Sequence, residues 1–299
     1  MDISVIFSTY NSPAWLENVI YGFHCQQDKN FEIVIADDGS SPETKDLISR
    51  LKAETKMEIK HVWQEDDGFR KCRILNEAIL ATRGDYLVFT DGDCIPRSDF
   101  VSTHRKYAEE GYYLSGGYFK LPMDISKAIT RDDILKERPF NAEWLINRGL
   151  VATHKISKLT AQGWKEKLYN SLTPTNRTWN GHNSSGWKKD VLAVNGFNER
   201  MQYGGEDCEF GDRLRNMGIK AKQVRYSAIC VHLDHSRSYV TEEMREKNKI
   251  IRQQTKKDKL IKTDYGIVKV KGLNGRNAHS GQKIPRRATS FSEVIGSLK

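Results

Sequence analysis

Three runs of β-branched and aromatic residues, each breaking into polar or acidic side chains at its end, set the tightest limit on how this chain can fold. They are "ISVIFSTY" (3–10), "FEIVIADDGS" (31–40) and "DYLVFTDGD" (85–93). A strand that is apolar at every position, rather than at every second one, is buried on both faces, as in a parallel sheet held between layers of helices. The intervening segments supply those layers. Ser12-Pro13 opens a helix to about Gln27, a second helix runs from about Pro42 to Glu54, "EIKHVW" adds a short strand, and "KCRILNEAILAT" has the amphipathic spacing of a helix. The pattern predicts an α/β chain with a doubly wound, mostly parallel sheet flanked by helices.

Such sheets bind ligands outside the carboxyl ends of their strands. Those ends carry Ser8, Thr9, Tyr10 and Asn11, then Asp37 and Asp38, then Asp91 and Asp93. No GxGxxG or GxxxxGK[ST] follows any of the strands, so the dinucleotide and P-loop fingerprints are absent and a nucleotide would be held through carboxylates and a metal. Asp91-Gly92-Asp93 can bind a hard divalent cation that keeps positions open for phosphate oxygens, or can be an Asp-Gly turn with a capping role. In "DDGFRKCR", Arg70, Lys71 and Arg73 gather at the start of a helix, where cations oppose the dipole and a diphosphate would explain them.

Two further motifs lie in the second half. In "QYGGEDCEFGDRL" (202–214), Gly204-Gly205 permit an unusual backbone and Glu206-Asp207 head a helix whose Glu209, Asp212 and Arg213 can face solvent. The acids either complement the helix dipole or supply a general base for a hydroxyl nucleophile. In "CVHLDHSR" (230–237), His232 and His235 end a strand "YSAICV", and an Asp/His donor set suits Mn²⁺ better than Mg²⁺. Residues 116 to about 180 read as mostly helical and charged, with Trp144 and Trp164 as packing anchors. A charged helix to about Lys262, a strand "GIVKVKG" and a Gly/Ser/Arg-containing end follow Tyr239.

Charge narrows the partners. The net +9 lies wholly in the tail: residues 1–240 carry 33 Lys and Arg against 33 Asp and Glu, and residues 241–299 carry 15 against 6. A nucleic-acid-binding domain would carry its charge on the fold, so no nucleic-acid partner is expected. The basic tail suits either an anionic membrane surface or a solvated helix. Five scattered cysteines without a CxxC spacing argue against a disulfide framework and a zinc site and read as reduced thiols. With no positively charged leader and no run of about 18 apolar residues, the expectation is a cytoplasmic protein without a spanning segment.

Taken together in this order and spacing, these segments resemble family 2 glycosyltransferases of the GT-A fold, whose sheet is Rossmann-like. The second half is similar to the galactosyltransferase-type segment shared by β1,4-galactosyltransferases and bacterial chondroitin polymerases. "VIFSTYN" and "IVIADDGS" look like the family's nucleotide-binding strand ends, with "STYN" standing where "PTYN" is familiar. "GDYLVFTDGDCIP" looks like its DxD strand, "GGED" like its base segment and "HLDHSR" like its metal-binding histidine segment.

The resemblance implies that Tyr10 and Asp38 contact uracil, with Asp37 and Ser8 nearby. Asp91 would lie by the ribose, and Asp93 and His235 would bind Mn²⁺ (or Mg²⁺) bridging the UDP phosphates. His232 stands at the second metal-ligand position, where those enzymes often have Met. Asp207 would be the base and Glu206 would orient the sugars, while Trp187, Asn183 and the Gly205 region would line the donor and acceptor pocket. The implied reaction is inverting transfer from a UDP-sugar to a saccharide or lipid-linked saccharide acceptor in cell-surface polysaccharide or lipopolysaccharide synthesis. It would run at the cytoplasmic membrane face, with the tail touching anionic lipid. Residues 1–115 would bind the nucleotide sugar, 116–240 the acceptor, and 241–299 would form a basic, mostly helical extension. The rival readings are a non-catalytic carbohydrate- or nucleotide-sugar-binding protein on the same sheet, and a nucleotidyltransferase, which would need neither the GGED segment nor the histidines.

Overall fold

The computed structural model describes residues 1–237 and 239–269. The first four strands are β1 (Ile3–Thr9), β2 (Phe31–Asp37), β3 (Ile59–Trp63) and β4 (Tyr86–Asp91), and they pair in parallel in the order β3-β2-β1-β4. The register levels their carboxyl ends: Ser8 pairs with Asp91 and Thr9 with Asp37. Successive side chains of β1 serve opposite faces, as a pleated strand requires. Val5 and Phe7 join one core with Phe23 and Phe100, and Ile6 joins the other with Val34, Leu75 and Phe89. Both clusters are buried, so sliding this strand by one residue would exchange two fully committed faces.

The chain then leaves the parallel pattern. After β5 (Cys94–Pro96), β6 (Tyr112–Ser115) and β7 (Phe119–Lys120), strand β8 (Ser184–Trp187) pairs antiparallel with both β4 and β6, and β9 (Lys220–Gln223) closes the edge of a seven-stranded sheet ordered β3-β2-β1-β4-β8-β6-β9. A second, three-stranded sheet forms from β5, β10 (Cys230–His232) and β7. The expected strand 226–231 is thus only its last residues, displaced by one.

Residues 116–180 form short helices: Met123–Ala128, Arg131–Leu135, Ala142–Asn147, Ser157–Thr160 and Trp164–Leu172. Trp144 packs on the core, but Trp164 is exposed; the buried tryptophan of this stretch is Trp179, wedged among Phe89, Tyr113 and Phe210.

The helix Glu206–Asn216 departs from the sequence reading. Glu209, Asp212 and Arg213 are buried rather than solvated, because the helix Glu242–Lys257 lies against them. Thr241 caps that second helix by accepting from the Met244 amide, and acids at its start and lysines at its end match its dipole. The compact unit accordingly extends to Lys269, where Tyr265 and Lys269 form an isolated bridge in place of the expected strand. The remainder of that strand and the Gly/Ser/Arg end lie outside the described residues. Among the described residues no helix is long and apolar enough to cross a membrane.

Candidate functional site

The level strand ends open into a cleft of about 680 Å³, closed on its other side by the start of the helix Glu206–Asn216 and by the segment after β10. Asp91 ends β4 and receives the Lys71 ammonium at 2.7 Å and the Ser8 hydroxyl at 3.3 Å. Burial alone would raise the Asp91 carboxyl, but the charge and hydrogen bond of Lys71 outweigh it and hold it at about 2. Gly92 follows because a Cβ there would stand 2.7 Å from the Ser8 carbonyl oxygen.

Asp93 begins a different group. Its Oδ2 lies 2.9 Å from His235 Nε2 and 3.4 Å from His232 Nε2. The Nε2 of His232 also accepts from Arg237 at 3.2 Å, while its buried Nδ1 has no hydrogen-bond partner among the described residues. Asp93 thus sits between two imidazoles; the ligand atoms that lie within 4.8 Å of one another are those of Asp93, Cys94 and His232, with His235 beside Asp93, and such a carboxylate, imidazole and thiol set fits a borderline divalent cation such as Mn²⁺.

Asp38 lies at the end of β2, where burial pushes its carboxyl up to about 6 although Gln64 and the Arg70 amide donate to it at 2.5 and 2.9 Å. Tyr10 stands at the rim, its hydroxyl 2.8 Å from Asp66. Across the cleft, Gly204 and Gly205 hold φ of +103° and +84°, a region that side chains with a Cβ rarely adopt, and so turn the chain into the helix. Glu206 accepts from the Gly204 amide at 2.9 Å, and Asp207 accepts from Gly181 and Cys208 amides at 3.0 and 2.6 Å. Among the described residues no side-chain cation is hydrogen-bonded to either acid. Burial raises both carboxyls, Glu206 to about 7 with help from the neighbouring Asp207 charge. Asn248 of the helix Glu242–Lys257 pins this turn by donating to the Gln202 and Gly204 carbonyls at 2.8 and 3.0 Å.

Ser8, Tyr10, Asp38, Asp91, Asp93, Glu206, Asp207, His232 and His235 therefore share one cleft. Five expected residues do not line it. Trp187 is at the far end of the sheet: antiparallel β8 carries it away from the strand ends to pair with Tyr86, and its ring packs edge-on against Tyr86. Asp37 is turned inward, accepting from the Ser40 amide and holding His61. Arg70 contributes its main chain to Asp38 while its guanidinium turns to Asp67, and Arg73 falls on the exposed side of the helix Lys71–Ala81. Of that basic trio it is Lys71 that enters the site. Asn183 is buried beneath the cleft, donating to the Gly117 and Ala228 carbonyls. Sequence reasoning passed over His182, Tyr118 and Arg237, which also line the cleft; burial keeps His182 neutral, with its pKa down to about 3.

A parallel sheet that turns antiparallel after a DxD strand, with an acid pair facing it from a helix start, is the GT-A arrangement of glycosyltransferases. Solved structures share it. A mannosyltransferase from Pyrobaculum calidifontis in complex with GDP-Man and Mn²⁺ superposes with a TM-score of 0.54 at 18% identity, over 79% of this chain and 58% of that one. S. aureus TarS 1–349 in complex with UDP-GlcNAc gives 0.53 at 16%, over 80% and 60%. The chain belongs to glycosyl transferase family 2, whose model matches residues 4–177, and residues 172–236 match a model described as the N-terminal domain of galactosyltransferase. A chondroitin synthase of Escherichia coli is 25% identical over 242 residues, which is 77% of this chain but only 34% of that protein.

Proposed function

We propose that the chain is an inverting, metal-dependent glycosyltransferase that moves a hexose or hexose derivative from a UDP-sugar to a saccharide or lipid-linked saccharide acceptor. The observation that carries this is the shared cleft: the Asp93–His232–His235 group and the Glu206–Asp207 pair open onto one space large enough for a nucleotide sugar. The UDP-GlcNAc bound by TarS, the Mn²⁺ bound by the mannosyltransferase and the likeness to a chondroitin synthase support the donor class and the metal.

In this reading Tyr10 and Asp38 receive the uracil, with Ser8 and Asp91 by the ribose. Asp93, His232 and His235 hold Mn²⁺ or Mg²⁺, which would supply Lewis-acid stabilisation of the leaving diphosphate. Lys71 and Arg237 add fixed positive charge on the same side. Asp207 takes the proton of the acceptor hydroxyl, and its raised pKa makes it a stronger base than an ordinary carboxylate. Glu206, near half protonation at neutral pH, can donate to one sugar hydroxyl and accept from another. Attack opposite the leaving group inverts an α-linked donor to a β-glycoside. We assign residues 1–115 to the donor, 116–240 to the acceptor, and the reaction to cell-surface polysaccharide or lipopolysaccharide synthesis at the cytoplasmic membrane face.

A panel of UDP-sugars, each incubated with Mn²⁺ or with EDTA, tests the proposal through UDP release and thermal stabilisation read together. One sugar should release UDP and raise the melting temperature with Mn²⁺ and do neither with EDTA. A folded protein indifferent to every UDP-sugar and to Mn²⁺ would sink it and favour the non-catalytic binding reading.

A further inference from the structure

On the helix Trp164–Leu172 two polar side chains turn toward the protein: Glu166 bonds the hydroxyls of Ser227 and Tyr107, and Asn170 donates to Ser227 Oγ at 2.8 Å while accepting from the Tyr226 amide at 2.9 Å. Its apolar side chains point to solvent. Trp164 and Leu172 are each 69% exposed and Leu168 is 40% exposed, in steps of four residues that form one stripe. At about 100° per residue the stripe lies opposite the Glu166–Asn170 face, and Lys165 and Lys167 fall on its two flanks.

Single exposed apolar residues are ordinary, but a row of them on a helix whose Glu166 and Asn170 are the side chains bonded to the protein reverses what a globular surface helix presents. The chain leading to it has the same character, with Val151 79% exposed and Ile146 43% exposed. Charge identifies the covering partner. From Ile146 to Leu172 the basic residues are Arg148, Lys155, Lys158, Lys165 and Lys167, and the one acid, Glu166, is turned inward. A tryptophan and leucines flanked by lysines, in a segment whose one acid is bonded to the protein, match the boundary of an anionic bilayer, where the ring sits among headgroups and the lysines meet lipid phosphate.

We propose that Trp164, Leu168 and Leu172, flanked by Lys165 and Lys167, form the surface by which this protein docks on an anionic lipid bilayer. The sequence alone had pointed to the basic tail for that contact. The surface does not depend on the transferase reading, and UDP release measured without lipid is a separate readout.

The test is co-sedimentation of the full chain with vesicles of phosphatidylcholine alone or mixed with phosphatidylglycerol. Wild type should partition to the anionic vesicles at least about tenfold better, less so in high salt. Trp164→Gln/Leu172→Gln should lose about tenfold of that binding with an unchanged melting temperature, because neither side chain is packed. Lys165→Glu/Lys167→Glu should lose the preference for anionic lipid. Trp164→Phe should still bind but lose most of the blue shift in tryptophan emission. Wild-type levels of binding in the Gln double variant would assign the contact to the tail and overturn the proposal. So would no binding by wild type, or a self-association that the Gln variant abolishes, which would make the stripe an interface between copies.

Discussion

Four carboxylates lie within seven residues at the start of one helix, and the two pairs have opposite fates. Glu206 and Asp207, in the first turn, accept from backbone amides and are driven toward protonation by burial. Glu209 and Asp212, one turn on, are more deeply buried yet fully matched. Glu209 holds Arg213 at 2.9 Å and accepts from Thr255 at 2.8 Å, and Asp212 holds Arg252 at 2.7 Å and Arg215 as well. On the proposed function, the same residue types thus serve binding and catalysis at one end and structure at the other. What separates them is direct pairing: the inner acids are bonded to arginines, whereas the Lys71 charge near Glu206 and Asp207 is hydrogen-bonded to Asp91 instead.

That contrast can be broken at either end. The largest expected effect is Asp207→Asn, which should lower turnover by about 10²–10⁴-fold with UDP-sugar affinity and melting temperature retained. Steady-state rates within a few-fold of wild type would remove Asp207 as the base. Next comes Glu209→Gln, which leaves the buried Arg213 guanidinium without its countercharge and should cost about 3–5 kcal/mol in a denaturant titration. A loss below about 1 kcal/mol would mean that the pair is not structural.

The smallest effect concerns pH. Glu206 is lifted from its ordinary 4.5 to about 7, so between those values the folded chain keeps a proton that the unfolded chain has released. The associated stability is present below about 4.5 and is lost as pH rises through 7. Glu206→Gln should therefore melt at least about 2 °C higher than wild type at pH 8 and converge with it near pH 4.5. Parallel melting curves at all pH values would deny the strained acid.

The strands were legible because burial on both faces leaves a continuous apolar run, and the carboxylates at their ends stand out against it. Lys71 was not singled out from Arg70 and Arg73, since neighbours at a helix start point about 100° apart and the phase depends on where the helix begins. Trp187 misled because its place depends on strand β8 running antiparallel, a pairing written in no local pattern. Glu209, Asp212 and Arg213 looked solvated because the segment that buries them lies some forty residues further along the chain. Trp164 and Trp144 are alike in sequence context, and only the fold tells them apart.

Asn248 has a consequence for how this domain can be handled as a part. The family models end at residue 236, yet the carbonyls of Gln202 and Gly204, on the turn that aims the acid pair, are held from twelve residues beyond that boundary. A chimera joined at the family boundary would inherit every motif and arrive without the clamp that sets their angle. The unit that can be exchanged between proteins is therefore longer than the unit that similarity detects.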